Sequence, residues 1–202
     1  GQRIEVRPDL KFQRIFEGLI NNRVSVTYQD KLGFIWVGTF SGLHKYDGLN
    51  FQVYTNSADT SSINDNYIGA IFEDSHNQMW VGTGNGVALY NRETDDFTRF
   101  SLPTDFTANT GETNLVNTIL EDEKGIIWIS GIASGLFYFD REKQQFLPYN
   151  VDQIVSINAM TADKGPILWI ATLQNGLIKL NTDTGTTEYF RHDPADPESI
   201  SS

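Results

Sequence analysis

Three observations predict an all-β fold of stacked, four-stranded antiparallel sheets. One phrase recurs four times, and its four tryptophans, Trp36, Trp80, Trp128 and Trp169, stand 44, 48 and 41 residues apart; self-similarity at that period marks a repeat architecture. Within each copy, short apolar runs are separated by Gly, Asn and Asp turn signals, the pattern of strands and hairpins. The runs that carry the tryptophans, FIWVGT, QMWVGT, IIWISG and ILWIAT, are apolar at nearly every position. An antiparallel strand reads that way when both faces of its sheet are covered.

Each element of the phrase has a local reason. The first strand, Val24 to Gln29 in copy one, has counterparts at Ile68 to Glu73, Val116 to Glu121 and Ile157 to Ala162. An aspartate follows it in every copy, Asp30, Asp74, Asp122 and Asp163, six residues before the tryptophan. Its carboxylate can cap a turn in which Gly33, Asn77 or Gly125 accepts positive φ. After the tryptophan strand comes a glycine turn, Gly42, Gly86, Gly135 or Gly176, then a third strand, LHKYD, VALYN, LFYFD or LIKLN. The dipeptide Asp47-Gly48 is a strong hairpin signal. The fourth strand is the weakest: Phe51 to Tyr54, Phe97 to Phe100, Phe146 to Tyr149 and Thr186 to Phe190.

Meander sheets of this size, buried on both sides and repeated at this period, describe the blades of a β-propeller. The small residues Val26, Ala70, Thr118 and Ala159 share one register of the first strand, as a crowded propeller axis requires. A β-sandwich leaves the strict repeat unexplained. The expected organisation is a lead-in over 1–23, blades over 24–66, 67–113, 114–154 and 155–195, and the start of a fifth repeat at 196–202. The chain then reads as an N-terminal arc of about four blades from a larger, seven-bladed propeller. Within the lead-in, Leu10 to Phe16 reads as a strand that either closes the ring or packs locally. Four blades leave two outer faces open, so the piece either self-associates through them or was cut from a larger ordered domain.

Composition limits the function. The chain has 202 residues, 39% hydrophobic, and a net charge of −11 with lysine and arginine scattered. No basic stripe is present to neutralise phosphates, which argues against nucleic acid as a partner. Cysteine is absent, excluding disulfides and thiolate metal sites. No apolar run approaches the roughly 20 residues of a membrane helix, and no leader is evident.

Candidate chemistry is sparse. His44, His76 and His192 fall in a third strand, a turn and a linker of different copies, and are expected at the surface. The four aspartates could form a carboxylate ring for a cation, but turn capping accounts for each. The tryptophans could stack sugar rings, but their place inside apolar strands makes them core. The long connector from Leu102 to Asn114 is either a ligand-contacting loop or simply a longer loop. No catalytic residue, metal site or cofactor is expected. The positions singled out, Asp30, Trp36, Gly42, Asp74, Trp80, Gly86, Asp122, Trp128, Gly135, Asp163, Trp169 and Gly176, are structural.

The pattern D-x-x-G-x-I-W-V-G-T-x-x-G-L-x-x-Y-D-G-x-x-F-x-x-Y, intact from Asp30 to Tyr54, resembles the regulator propeller repeat of bacterial two-component sensors. The tail HDPADPESISS echoes NSADTSSINDN at Asn56 to Asn66 and is similar to the link between repeats in that family. Ser130-Gly131 in place of Gly-Thr, the inserted Pro166, and Leu180 in place of an aromatic depart from the pattern. The resemblance implies the periplasmic sensor region of a Bacteroides-type hybrid histidine kinase, the extracytoplasmic part of an inner-membrane protein. By the same resemblance it would detect polysaccharide-derived oligosaccharides and relay the signal across the membrane. A non-catalytic protein-interaction scaffold is the alternative, and a propeller lyase a more distant one.

Overall fold

The computed structural model describes residues 18–103, 114–131, 135–150, 156–196 and 199–200. The lead-in strand expected at Leu10 to Phe16 and most of the connector after Leu102 lie outside them. Among the described residues sixteen strands form four antiparallel sheets, each a simple meander. Blade 1 contains β1 (Val24–Gln29), β2 (Ile35–Thr39), β3 (Leu43–Tyr46) and β4 (Phe51–Tyr54). Blade 2 contains β5 (Ile68–Glu73), β6 (Met79–Thr83), β7 (Gly86–Asn91) and β8 (Asp96–Phe100). Blade 3 contains β9 (Thr118–Glu121), β10 (Ile127–Gly131), β11 (Gly135–Asp140) and β12 (Gln145–Pro148). Blade 4 contains β13 (Ile157–Ala162), β14 (Ile167–Thr172), β15 (Leu177–Asn181) and β16 (Thr187–Phe190). The first strands stack on one another, β1 on β5, β5 on β9 and β9 on β13, and so define the inner edge of an open propeller arc.

Strand β9 starts two residues later than the apolar run beginning at Val116. The Val116 amide donates to the Thr83 carbonyl of blade 2 at 3.0 Å, and the Asn117 amide to the Ser130 carbonyl at 3.1 Å. Val116 is thus tied to the preceding blade before its own sheet begins. Shape at the inner edge follows from side-chain size. Val26, Ala70, Thr118 and Ala159 pair across the sheet with Gly38, Gly82, Ser130 and Ala171. A Cβ on Gly38 would lie 2.7 Å from Ile68 Cγ2, and one on Gly82 would lie 2.7 Å from the Val116 carbonyl oxygen. The next blade comes too close there for any side chain. The turn glycine after the tryptophan strand is fixed differently: Gly86 sits at φ +97°, and a Cβ on it would meet the Phe100 carbonyl oxygen at 2.5 Å.

The core lies between the blades. Trp36 and Leu43 of blade 1 bury against Ile68, Met79 and Tyr90 of blade 2. Trp80 packs with Phe139 and Phe146 of blade 3, and Trp128 joins the cluster of Ile157, Leu168 and Leu180 of blade 4. Aromatic rings dominate the first two seams, with Trp36 and Tyr90 edge to face at 4.8 Å and Trp80 and Phe139 at 4.9 Å. Such rings contribute large buried areas together with a preferred geometry.

The inner-edge register gives a paired expectation. Gly82→Ala should destabilise the chain by about 1–3 kcal/mol in urea unfolding, because the added methyl overlaps backbone of the next blade. Ser130→Ala, at the equivalent position of blade 3, should cost nothing or stabilise by up to about 1 kcal/mol, since its buried hydroxyl has no hydrogen-bond partner among the described residues.

Candidate functional site

The repeated aspartate and tryptophan meet. Asp30 Oδ1 accepts the Leu32 and Phe34 amides at 3.0 and 2.9 Å, and its Oδ2 accepts the Trp36 indole N–H at 2.9 Å. The indole bond recurs at 3.0 Å in Asp74 with Trp80, 2.8 Å in Asp122 with Trp128, and 3.0 Å in Asp163 with Trp169. Turn capping was legible in the sequence; the indole bond was not, although its signal is the fixed spacing of six. Trp36, Trp80 and Trp128 are at most 2% exposed, so they are core and offer no platform. Trp169 is partly exposed.

Two of these carboxylates also meet an arginine from the next blade. Arg92 donates to Asp30 Oδ2 at 3.0 Å and to Glu73 Oε1 at 2.9 Å, and Arg141 lies 3.6 Å from Asp74 Oδ2. Burial alone would raise the Asp30 pKa, but the Trp36, Arg92 and Phe34 donors outweigh it and hold the carboxyl below its ordinary value. A carboxylate so fully engaged is poorly placed to bind a cation. Among the described residues no group of three or more His, Asp or Glu side chains could hold a metal ion.

His44 corrects the expectation of a surface histidine. It is fully buried, its Nε2 accepts the Ile20 amide at 3.1 Å, and its Nδ1 faces the Val37 carbonyl at 3.3 Å. The positions matching it in the other blades hold Ala88, Phe137 and Ile178, so an apolar environment surrounds it. Desolvation pushes its pKa down, and the neutral ring anchors the segment leading into β1. His76 and His192 are exposed, as expected. The three do not converge on a catalytic base.

A different set of residues converges at the inner edge, at the blade end that carries the glycine turns and the connectors. A cavity of about 350 Å³ is lined by Asp65, Tyr67, Gly84 and Leu115. Tyr67 stands edge to face with Phe40 at 4.7 Å, and the Arg23 guanidinium lies 4.0 Å from the centre of the Phe40 ring. Asp65 Oδ1 accepts the Tyr67 amide at 2.8 Å. This shelf spans blades 1, 2 and 3. Its residues are those that differ between the copies: Phe40, Gly84 and Leu173 follow the shared threonine, and Arg23, Tyr67, Leu115 and Ser156 precede the first strands. An aromatic pair flanked by one carboxylate and one guanidinium can stack an apolar ring face and hydrogen-bond polar groups at its rim. A larger groove, of about 630 Å³, opens at the opposite end beside Asn77, Gln78 and Arg92. Its cation is already committed to Asp30 and Glu73, which makes the shelf the better candidate.

The profile of the two-component regulator propeller family matches residues 18–41 and 62–85, the turn and tryptophan strand of blades 1 and 2. Two stretches of the chain, in blades 1 and 2, are thus similar to regulator-propeller repeats. A histidine kinase of Formosa agariphila is 44% identical over 46 residues, covering 23% of this chain and 3% of that protein. The extracellular domain described as that of a hybrid two-component system from B. thetaiotaomicron superposes with a TM-score of 0.75 at 26% identity, over 89% of this chain and 26% of that one. Virginiamycin B lyase from Staphylococcus aureus superposes with a TM-score of 0.65 at 18% identity, over 84% of this chain and 56% of its own; it shares the fold alone. This chain therefore spans a small part of the kinase and about a quarter of the extracellular domain.

The Asp30 site sets a pH dependence. A carboxyl held below its ordinary value of 3.8 contributes stability that is fully present above that value and is lost as pH falls through the lower folded-state pKa. Asp30→Asn should therefore destabilise the chain by about 1–3 kcal/mol at neutral pH. The gap to the parent should narrow well below pH 3.8, as read by urea unfolding followed through tryptophan fluorescence.

Proposed function

We propose that this chain is a ligand-sensing arc of the extracytoplasmic propeller of a hybrid two-component sensor histidine kinase, located in the periplasm and without catalytic activity of its own. The ligand is an oligosaccharide, held on the shelf of Phe40, Tyr67, Arg23 and Asp65. One observation carries the reading. The residues shared by the four copies are consumed in capping turns and packing seams, while at the glycine-turn end of the arc positions that differ between copies, Tyr67, Gly84 and Leu115, line a cavity beside Phe40. The family match and the likeness to the extracellular domain of a two-component system support a sensor. Aromatic faces beside hydrogen-bonding groups support a sugar, whose ring offers an apolar face and a polar rim. The kinase and the membrane anchor that this role requires would be supplied by the parent protein; within the described residues no helix is long and apolar enough to cross a membrane.

Calorimetric titration of the chain with a panel of neutral and acidic oligosaccharides tests the reading. At least one should bind. Tyr67→Ala should weaken it by roughly 10-fold to 100-fold, the equivalent of about 1.5–3 kcal/mol of buried ring, with the fold unchanged by circular dichroism. Silence across the panel, or binding indifferent to both Tyr67→Ala and Phe40→Ala, would sink the proposal.

A further inference from the structure

A short segment, Ile20 to Arg23, joins the buried His44 to the shelf. It crosses the glycine-turn end of blade 1 and is tied down step by step. The Ile20 amide donates to His44 Nε2 at 3.1 Å, the Asn21 side-chain amide to Ser41 Oγ at 2.6 Å, and the Arg23 amide to Asn21 Oδ1 at 2.8 Å. The Arg23 carbonyl accepts the Phe40 amide at 3.2 Å, and the Arg23 guanidinium lies over the Phe40 ring. Ile20 and Arg23 are both exposed, so their placement depends on these bonds more than on burial.

The His44 tie differs from the others because its acceptor exists in one protonation state only. With Nδ1 facing the Val37 carbonyl at 3.3 Å, the neutral ring carries its proton there and offers a lone pair at Nε2. The imidazolium has an N–H at both nitrogens and would aim one of them at the Ile20 N–H. No charged neighbour offsets this conflict. Lys45, the next residue, is turned to the other face of β3, where it meets Tyr90 and Asp95. Val37 of β2 and Val53 of β4 flank the histidine, and Phe51 stands edge to face with its ring at 6.2 Å. The influences on the ring's pKa are burial and the Val37 and Gly42 carbonyls, with no charged side chain among them.

We propose that His44 is a positioning residue for the ligand shelf: its neutral ring holds the Ile20 to Arg23 segment so that Arg23 stays stacked on Phe40, and protonation of the ring frees the segment and unseats the guanidinium. The proposal rests on the shelf reading for its functional meaning, but the coupling it asserts belongs to the unliganded chain. The tied segment favours the neutral ring, so the tie is fully present above the ring's ordinary value of 6.5 and weakens as pH falls below it. Opening of the segment should become roughly tenfold more frequent for each pH unit below that value, until the lower folded-state pKa is passed. A ligand held by the Arg23 guanidinium is then retained at neutral pH and released on acidification.

NMR of the chain without ligand tests the coupling as pH is lowered from about 7.5 to about 4.5, a range that includes ordinary histidine titration. Hydrogen-exchange protection of the Ile20 amide should fall about tenfold per pH unit below the ring's ordinary value. The Arg23 side-chain signals, shifted upfield by the Phe40 ring, should move to unstacked positions in step with the His44 ring signals. His44→Gln sets a carbonyl acceptor near the Nε2 position and does not titrate, so it should keep Arg23 stacked and Ile20 protected throughout. His44→Ala should leave Arg23 unstacked even at neutral pH. A flat Ile20 protection profile in the parent would overturn the proposal. So would Arg23 signals that ignore the His44 titration, or a pH profile that survives in His44→Gln. An oligosaccharide panel that stays silent removes the ligand reading and leaves this coupling standing, because none of these readouts needs a ligand.

Discussion

The hydrogen bond between each aspartate and the indole six residues later is the constraint on which the arc depends. It joins two tasks that are usually separate. One carboxylate oxygen organises the turn between the first and second strands, and the other fixes the rotamer of the largest side chain in the sheet. A buried indole N–H left unpaired costs about 1–3 kcal/mol, and a buried carboxylate oxygen left unmet costs more because it is charged; each reduces the other's penalty. With its ring held, the tryptophan becomes a fixed surface for the next blade. In a stacked array, where each unit contacts only its neighbours, stability is the sum of such seams.

The seams are not equal. At the first, Arg92 bridges Asp30 of blade 1 and Glu73 of its own blade, and Glu73 also accepts the Lys31 amide of blade 1 at 2.8 Å. At the second, Arg141 stands farther from Asp74 and is more exposed than Arg92. At the third the arginine is replaced by Thr182, and the blades are joined instead by an exposed pair of Lys124 and Asp183 and by the Tyr149 hydroxyl donating to the Thr182 carbonyl at 2.8 Å. Exposed pairs contribute little, of order 0–1 kcal/mol, so polar reinforcement falls from blade 1 to blade 4. The inner-edge series Gly38, Gly82, Ser130 of the three seams runs the same way, from positions where the next blade excludes a side chain to one that admits it. The larger residues and the weaker clasps occur together, as a looser approach of neighbouring blades requires.

Most of this architecture was legible in the sequence because its causes are local. The spacing of Asp30 and Trp36, the apolar run through both faces of β2, and the turn glycines after the tryptophan strands each act within one blade, and repetition multiplied a weak signal by four. What could not be read were effects of one blade on another. Val116 looks like the start of a strand until the Thr83 carbonyl claims its amide. His44 looks like a surface residue on a polar third strand, and only the segment crossing blade 1 reveals that both ring nitrogens are used. The shelf was missed for the same reason: Phe40 and Tyr67 are 27 positions apart in adjacent blades, and neither belongs to the repeated pattern. Their signal was the variability itself, concentrated after the shared threonine and before the first strand.

That placement links scaffold to ligand. Phe40 belongs to blade 1, Tyr67 to the entry of blade 2 and Leu115 to the entry of blade 3; Tyr67 and Leu115 line the cavity and Phe40 packs edge to face on Tyr67, so the proposed ligand would touch blades 2 and 3 directly and couple to blade 1 through the Tyr67–Phe40 contact. Tyr67 also has its carbonyl bound by the Gly84 amide at 2.9 Å, and Phe40 donates its amide to the Arg23 carbonyl at 3.2 Å. The shelf is therefore carried on backbone hydrogen-bonded to its own sheet, not on a free loop, and the cost of ordering it is met by folding before any ligand arrives. Differences between copies at the inner rim, such as Phe40 and Gly84 after the shared threonine, leave the aspartate and tryptophan of each blade unchanged, so the proposed recognition surface can vary while the seams keep their anchor.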